Sequence, residues 1–471
     1  MTRGWNDLPG QIGPHGGRQA MLPVLVLLGL TACAPQDPYA PPTFAFLGAY
    51  HGTSRGAAVL LGNDAWWQRL NDPVLNQLVT AALAGNPSLE IARARVTQAQ
   101  AAAAATPGLF SLQPTLSASG SAAFGTDPVG QGTAQLGLNW LLDPYGANRA
   151  AKDAGRAGVE VAAAELDAAR LLLLYNLGNA YVDLRYRQTL LALRDQEMRS
   201  RRQTLAMTRT LVAAQDATRL DSARTEARVA EIEGQMPGLR AAVAAKKNEI
   251  AVLTGVAPGT LAIGLDQQAS QPRPRLAPNV GIPADLLRNR PDIQIAERRY
   301  YQALAGVTQA RAALYPQLSL TGTLTLNAAQ GGQRAAGYVF GPSLQLPVLP
   351  GTRARAGVAN AEAAVAAAHA NWKATVLNAL LEVQNAMLDY QAASAAQGSA
   401  DKAARLYRET LELTRKVVSQ GAATLGDLIT AEQALAAARQ AQADTLFQRG
   451  RSFVALNVRL GAGSDAGPAA P

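Results

Sequence analysis

Apolar and polar positions alternate strictly in two stretches and recur at helical spacing almost everywhere else. In residues 316–348, PQLSLTGTLTLNAAQGGQRAAGYVFGPSLQLPV, Leu318, Leu320, Leu324 and Leu326 hold even positions, and Ser319, Thr321, Thr323 and Thr325 hold odd ones. After a Gly/Gln/Arg turn, Tyr338, Phe340, Leu344, Leu346 and Val348 share one face, opposite Gly341, Ser343 and Gln345. Period-two alternation of this kind predicts a β-hairpin with one apolar and one polar face. A second hairpin is expected over 114–142. Its first strand alternates through Leu116, Ala118, Ala122 and Phe124, its second through Leu136, Leu138, Trp140 and Leu142. Each strand is about ten residues long, enough for a tilted strand to cross a bilayer.

Long alanine-rich segments surround both hairpins. A first helix is expected over roughly 73–105 and again over 284–313, each leading into a hairpin and then into a far longer helix. No proline interrupts Pro144 to Pro237, nor Pro350 to Pro468. From Asn148 to about Val212 the helix would run ~100 Å, at ~1.5 Å per residue. Leu166, Leu173 and Ala180 at sevens, interleaved with Leu177, Leu184 and Leu191, predict coiled-coil-like packing. Val365, Trp372 and Ala379 repeat it against Val376, Val383 and Tyr390. Both long regions break at small and polar residues, LVAAQDATRLDSA and VVSQGAATLGDLI, which read as tight helix–turn–helix junctions capped by Thr218 and Thr424. Gly421 suits a helix C-terminus; its counterpart Gln215 does not, which leaves the first turn less defined.

The chain is two copies of one unit. NPSLEIARAR at 86–95 matches RPDIQIAERR at 290–299, PTLSASG at 114–120 matches PQLSLTG at 316–322, and LLDPYGANRA at 141–150 matches PVLPGTRARA at 347–356. Ala217 to Asp221 likewise matches Ala423 to Asp427. The expected division is a first repeat over 73–262, a Pro-rich linker over 263–282, a second repeat over 283–462 and a flexible tail over 463–471.

The 471 residues carry few aromatics and much alanine, a composition that fills long helices better than a bulky globular core. The net charge of +9 does not indicate nucleic acid, because the arginines are spread along helices without aromatic interleaving. Residues 21–32, MLPVLVLLGLTA, form a short apolar run ended by small residues, which reads as the core of a secretory signal over 1–32. Beyond it no apolar run is long enough for a transmembrane helix. Cys33, the single cysteine, follows in LTAC and opens an N-terminal arm over 33–72. The junction resembles the lipobox of bacterial lipoproteins, which implies acylation of Cys33. Ala34 in place of aspartate agrees, in that family, with delivery to the outer membrane.

Four strands per chain cannot lie open in hydrocarbon, because unpaired edge N–H and C=O groups cost several kcal/mol each. The sheet must close with other chains, and strand arithmetic alone allows a dimer, trimer or tetramer. Thr115, Ser117, Ser119, Gln135 and Asn139 would then line a watery lumen, and Leu116, Phe124, Leu138, Trp140, Leu318, Leu320, Phe340 and Leu344 would face lipid.

The segments WWQRLNDPVLNQLVTAALAGNPSLEIARARV (66–96), VGIPADLLRNRPDIQIAERR (280–299) and ALYPQLSLTG (313–322) resemble the hallmark segments of TolC-like outer membrane efflux proteins, nearest to their lipoprotein branch. The resemblance covers 33 to about 462. It implies a mixed fold: a membrane β-barrel of 12 strands, four from each member of a homotrimer, above a long α-helical coiled-coil tunnel. It further implies an exit duct for small molecules, fed by a periplasmic membrane-fusion adaptor and an inner-membrane RND-type pump. In such proteins the helical tips close the tunnel and dock the adaptor, which points here to Arg209, Asp216, Thr218, Asp221, Arg415, Gly421, Thr424 and Asp427. Some relatives carry an acidic ring at the entrance. Ala423 and Thr430 stand where those acids would be sought, so such a ring would be absent or built from Asp216, Asp221 or Asp427. Arg209 and Arg415 could pair with acids of a neighbouring helix or be solvated.

No catalytic constellation is present. His15, His51 and His369 are scattered without companion ligands, and neither a P-loop nor GxSxG occurs. No enzyme activity, cofactor or metal is expected. A protein-secretion exit duct and a pore-free coiled-coil lipoprotein are the alternatives; the alternating hairpins argue against the second.

Overall fold

A computed structural model describes residues 42–46, 50, 65–121, 129–266, 270–274, 283–329, 332, 334–346 and 351–464. The expected signal, Cys33, Ala122, Phe124, Val348 and most of the tail lie outside the described residues. The elements run α1 (Pro73–Gly85), α2 (Pro87–Ala104), β1 (Phe110–Ser121), β2 (Val129–Leu142), α3 (Ala147–Ala213) and α4 (Arg219–Leu253). A second round follows: α5 (Leu286–Asn289), α6 (Pro291–Ala312), β3 (Gln317–Ala329), β4 (Arg334–Gln345), α7 (Thr352–Ser419) and α8 (Leu425–Arg459).

Two compact units are built from this order, one holding 105–154 and 301–365, the other the remaining described residues. In the first, all four strands join one antiparallel sheet in the order β1-β2-β3-β4. The register places Leu112 opposite Leu138, Leu138 opposite Gly322 and Gly322 opposite Phe340. Every such pairing joins even to even positions, so one face carries the apolar set of all four strands. Leu116, Leu138, Trp140, Leu318, Leu320, Phe340 and Leu344 all lie on it. The odd face carries Thr115, Ser117, Gln135, Asn139 and Thr321, with Leu141 and Val339 as its large apolar exceptions. Neither face is covered: Leu116 and Tyr338 are each 85% exposed. Asp143 starts α3, its Oδ2 accepting from the Asn148 and Arg149 N–H groups at 2.9 and 3.1 Å. Tyr145 stacks on Tyr315 at 4.4 Å.

In the second unit the single first helix expected over 73–105 is two helices, and so is its repeat. Each break falls at the residue before a proline, Asn86 before Pro87 and Arg290 before Pro291. The proline ring drives its predecessor out of helical geometry while itself suiting the first helical position. Asn86 Nδ2 donates to the Leu253 carbonyl at 2.9 Å, and Arg290 Nη1 donates to the Arg459 carbonyl at 2.8 Å. These are the same contact in the two repeats. Each is sealed by a glycine: a Cβ on Gly255 would run into the Gly85 carbonyl, and one on Gly461 into that of Asn289. Both glycines also have positive φ, 81° and 80°.

The core gathers Leu75, Leu78 and Phe453 with most of the heptad positions expected to pack: Leu173, Leu177, Ala180, Leu184, Trp372, Val376, Ala379, Val383 and Tyr390. The arm expected up to residue 72 ends inside this core. Trp66–Leu70 forms a 3-10 turn with Trp66 only 1% exposed, and Asp72 caps α1 while accepting from the Tyr181 hydroxyl at 2.5 Å.

Candidate functional site

The two helical turns, 214–218 and 420–424, are near-copies. Where α3 ends, the Gln215 N–H donates to the Val212 carbonyl and the Asp216 N–H to that of Leu211. Where α7 ends, Gly421 donates to Val418 and Ala422 to Val417 in the same pattern. This closing pattern needs a left-handed residue. Gly421 has φ 72°, and Gln215 adopts φ 65° despite its side chain. The first turn is therefore as tight as the second although glutamine suits the position less well than glycine: the paired backbone bonds hold the left-handed residue in place.

Thr218 and Thr424 each open the following helix with a capping box. The Asp221 N–H donates to Thr218 Oγ1 at 3.3 Å, and the Thr218 hydroxyl and N–H donate back to Asp221 Oδ2 at 2.6 and 3.1 Å. Thr424 and Asp427 repeat this at 3.2, 2.7 and 2.9 Å. Hydrogen bonds from the threonines hold both carboxyls below the usual carboxylate range. Asp221 and Asp427 thus serve their own helix starts. Of the three acids considered for a ring, Asp216 is the one whose carboxylate is not engaged by a described residue.

Arg209 and Arg415 both pair across their own hairpins. Arg209 reaches Glu226 at 3.0 Å and Arg415 reaches Glu432 at 3.4 Å. Glu226 is depressed by its bond to Arg209 and remains solvent-facing. Glu432 is different: its side chain is 7% exposed and is the meeting point of three helices. From α3, Arg201 reaches it at 3.1 Å and the Ser200 hydroxyl at 2.9 Å; from α7 comes Arg415. Arg201 is itself only 3% exposed and also faces Glu197 at 3.9 Å. The second hairpin is thereby tied to α3 through one buried carboxylate. Sequence reading missed Glu226 and Glu432. The signal was available, since both stand 17 residues after their arginines, at 209/226 and 415/432.

Among the described residues no His, Cys, Asp or Glu group is arranged to hold a metal, and no helix is long and apolar enough to cross a membrane. His369 packs between the rings of Tyr300 and Trp372.

A sequence model of the Outer membrane efflux protein family matches residues 78–256 and 282–462. The chain belongs to this family. Nodulation protein T of Rhizobium leguminosarum bv. viciae is 32% identical over 450 residues, covering 94% of this chain and 92% of that relative. The pyoverdine export outer membrane protein OpmQ of Pseudomonas putida is 27% identical over 456 residues, covering 93% and 96%. Among solved structures, the outer-membrane channel OprN superposes with a TM-score of 0.80 at 29% identity, over 92% of this chain and 99% of that one. The efflux-protein fold accounts for both the sheet and the paired long helices, and family members of known structure are channels rather than enzymes.

Proposed function

We propose that this efflux protein is the outer-membrane exit duct of a tripartite pump, passing small molecules passively and opened by a periplasmic membrane-fusion adaptor coupled to an inner-membrane RND-type pump. The observation that carries the reading is the parity of the sheet: one largely apolar face, one polar face and two unpaired edges, β1 and β4. Such a sheet is stable in a membrane only when closed. Three protomers give twelve strands, within the range of outer-membrane barrels.

A second surface asks for neighbouring copies. On α7 the core side carries Trp372, Val376, Ala379 and Val383, all 2% exposed or less. Leu377, Leu381, Leu388, Leu406 and Leu413 are 49–61% exposed. At ~100° per residue they fall within ~40° of one another, on the opposite side of the helix. A helix apolar on two faces is a buried helix. The second cover is supplied here by the adjacent protomer.

Within this reading the turns at 214–218 and 420–424 dock the adaptor, and Glu432 is the bolt that holds the α7–α8 hairpin against α3 in the resting duct. Acylation at Cys33 adds a lipid anchor, worth ~0.8 kcal/mol per buried CH₂. Single-channel recording in planar bilayers tests the gate. Wild type should show small conductance, and Glu432→Ala a several-fold larger one with assembly retained. Equal conductance in both would remove Glu432 from the gate.

A further inference from the structure

Beside the Glu432 cluster, where every arginine has a carboxylate, lies a cavity of about 340 Å³ with a different charge. It is bounded by α3, the segment 270–274, α7 and α8, and three arginines line it: Arg273, Arg408 and Arg439. Among the described residues none of the three forms an ion pair. Arg439 Nη1 donates only to the Gln196 amide oxygen at 2.9 Å. Burial, together with the neighbouring charges of Arg408 and Arg415, pushes the Arg439 guanidinium below its ordinary value. Asp401 is engaged by Gln442 at 2.7 Å and Asp266 by Lys247, and Glu409 and Glu412, next along α7 from Arg408, form no ion pair with it. From Gln267 to Ala284 the sequence holds no Asp or Glu at all, so the connecting segment brings arginine and no counter-charge.

Three guanidinium groups gathered without a carboxylate carry a mutual repulsion that an anion relieves, and their planar donor forks match a tetrahedral oxyanion. Hydrogen phosphate and phosphate monoesters supply such oxygens. The cavity exceeds the ~30 Å³ share of a water molecule about tenfold, which leaves room for the substituent of an ester. The geometry points to a phosphate-binding site at Arg273, Arg408 and Arg439, separate from the helical turns. It stands whether or not the chain is an exit duct.

Calorimetric titration of the purified full-length protein with inorganic phosphate and glycerol 3-phosphate at fixed ionic strength tests it. The expected result is saturable binding of one phosphate per protomer. Tighter binding of glycerol 3-phosphate than of phosphate would assign an ester as the ligand, and the reverse would assign free phosphate. Arg408→Gln combined with Arg439→Gln should weaken binding at least tenfold, Arg439→Lys less so, and the distant Arg228→Gln not at all. The three arginine variants should keep normal assembly, since Arg439 makes only an amide contact. Absence of saturable binding to wild type, or unchanged binding in the double variant, would overturn the assignment.

Discussion

Gln215 holds a left-handed backbone that glycine supplies at the matching position 421. A side chain in that region costs about 1 kcal/mol, so Gln215→Gly should stabilise the first turn by that amount, and Gly421→Val should destabilise the second by at least as much. Amide exchange at the Asp216 and Ala422 N–H groups reads both directly, slowing in the first variant and quickening in the second. The capping aspartates predict a pH dependence. Their carboxyls are depressed in the folded tip, so their contribution is complete above the usual carboxylate range and is lost as pH falls through the lower folded values. Protection at the helix starts, taken relative to the intrinsic exchange rate at each pH, should therefore fall only on acidification, and Asp221→Asn should show the lower protection already at neutral pH. Thr218 and Thr424 were legible as caps because threonine three residues before an acid is a strong local signal. The burial of Glu432 was not legible, because it comes from Ser200 and Arg201 on α3, 232 and 231 positions away.

At the scale of elements, the strands were readable because their period is two and both faces are chemically distinct. What the sequence did not contain was the depth of each position. The register stacks the bulky apolar residues in five rows, from Leu142–Leu318–Leu344 to Leu116–Ala134–Leu326–Ala336. At ~3.4 Å per residue these rows span ~27 Å of strand, or ~20 Å along the normal at a ~40° tilt, close to the usual apolar band. Arg334 is the one charged residue in the four strands, and it lies on the apolar face just past the last bulky row. The middle of the band is then Leu136, Leu324 and Tyr338 with the row of Leu138 and Phe340, whereas Leu344 sits at its edge. Leu324→Arg should cost ~2–4 kcal/mol of insertion stability, Leu344→Arg less, and Thr323→Arg, on the polar face, little. Recovery of heat-resistant oligomers from outer membranes ranks the three, and an inverted ranking would mean the faces are reversed. The long helices were legible from heptads and missing prolines. The breaks at Asn86 and Arg290 were not, although Pro87 and Pro291 signalled them.

For the whole molecule, the duplication is what the sequence displayed most fully and what the structure uses most. The Asn86 and Arg290 clasps, the glycines at 255 and 461 and both capped turns each occur twice. The copies differ at one carboxylate. Glu226 stays exposed, while Glu432 is buried against Arg201. Removing Glu432 leaves Arg201 with Glu197 alone, at 3.9 Å, and a broken buried pair costs about 3–5 kcal/mol, here toward the lower end. Glu432→Ala should accordingly lower the thermal midpoint measurably, whereas Glu226→Ala should leave it nearly unchanged. The case for partner copies was only half legible. Four strands require partners, but the exposed leucine stripe of α7 could be recognised only once the opposite face was seen to be full.

The central claim is that the open four-stranded sheet closes with two further copies of itself. Native mass determination of the full-length protein extracted from outer membranes tests it most directly. The account predicts a particle of three protomers, each carrying the added mass of acyl chains at Cys33. A monomer or a dimer that persists across mild detergents would contradict the closed barrel and, with it, the duct.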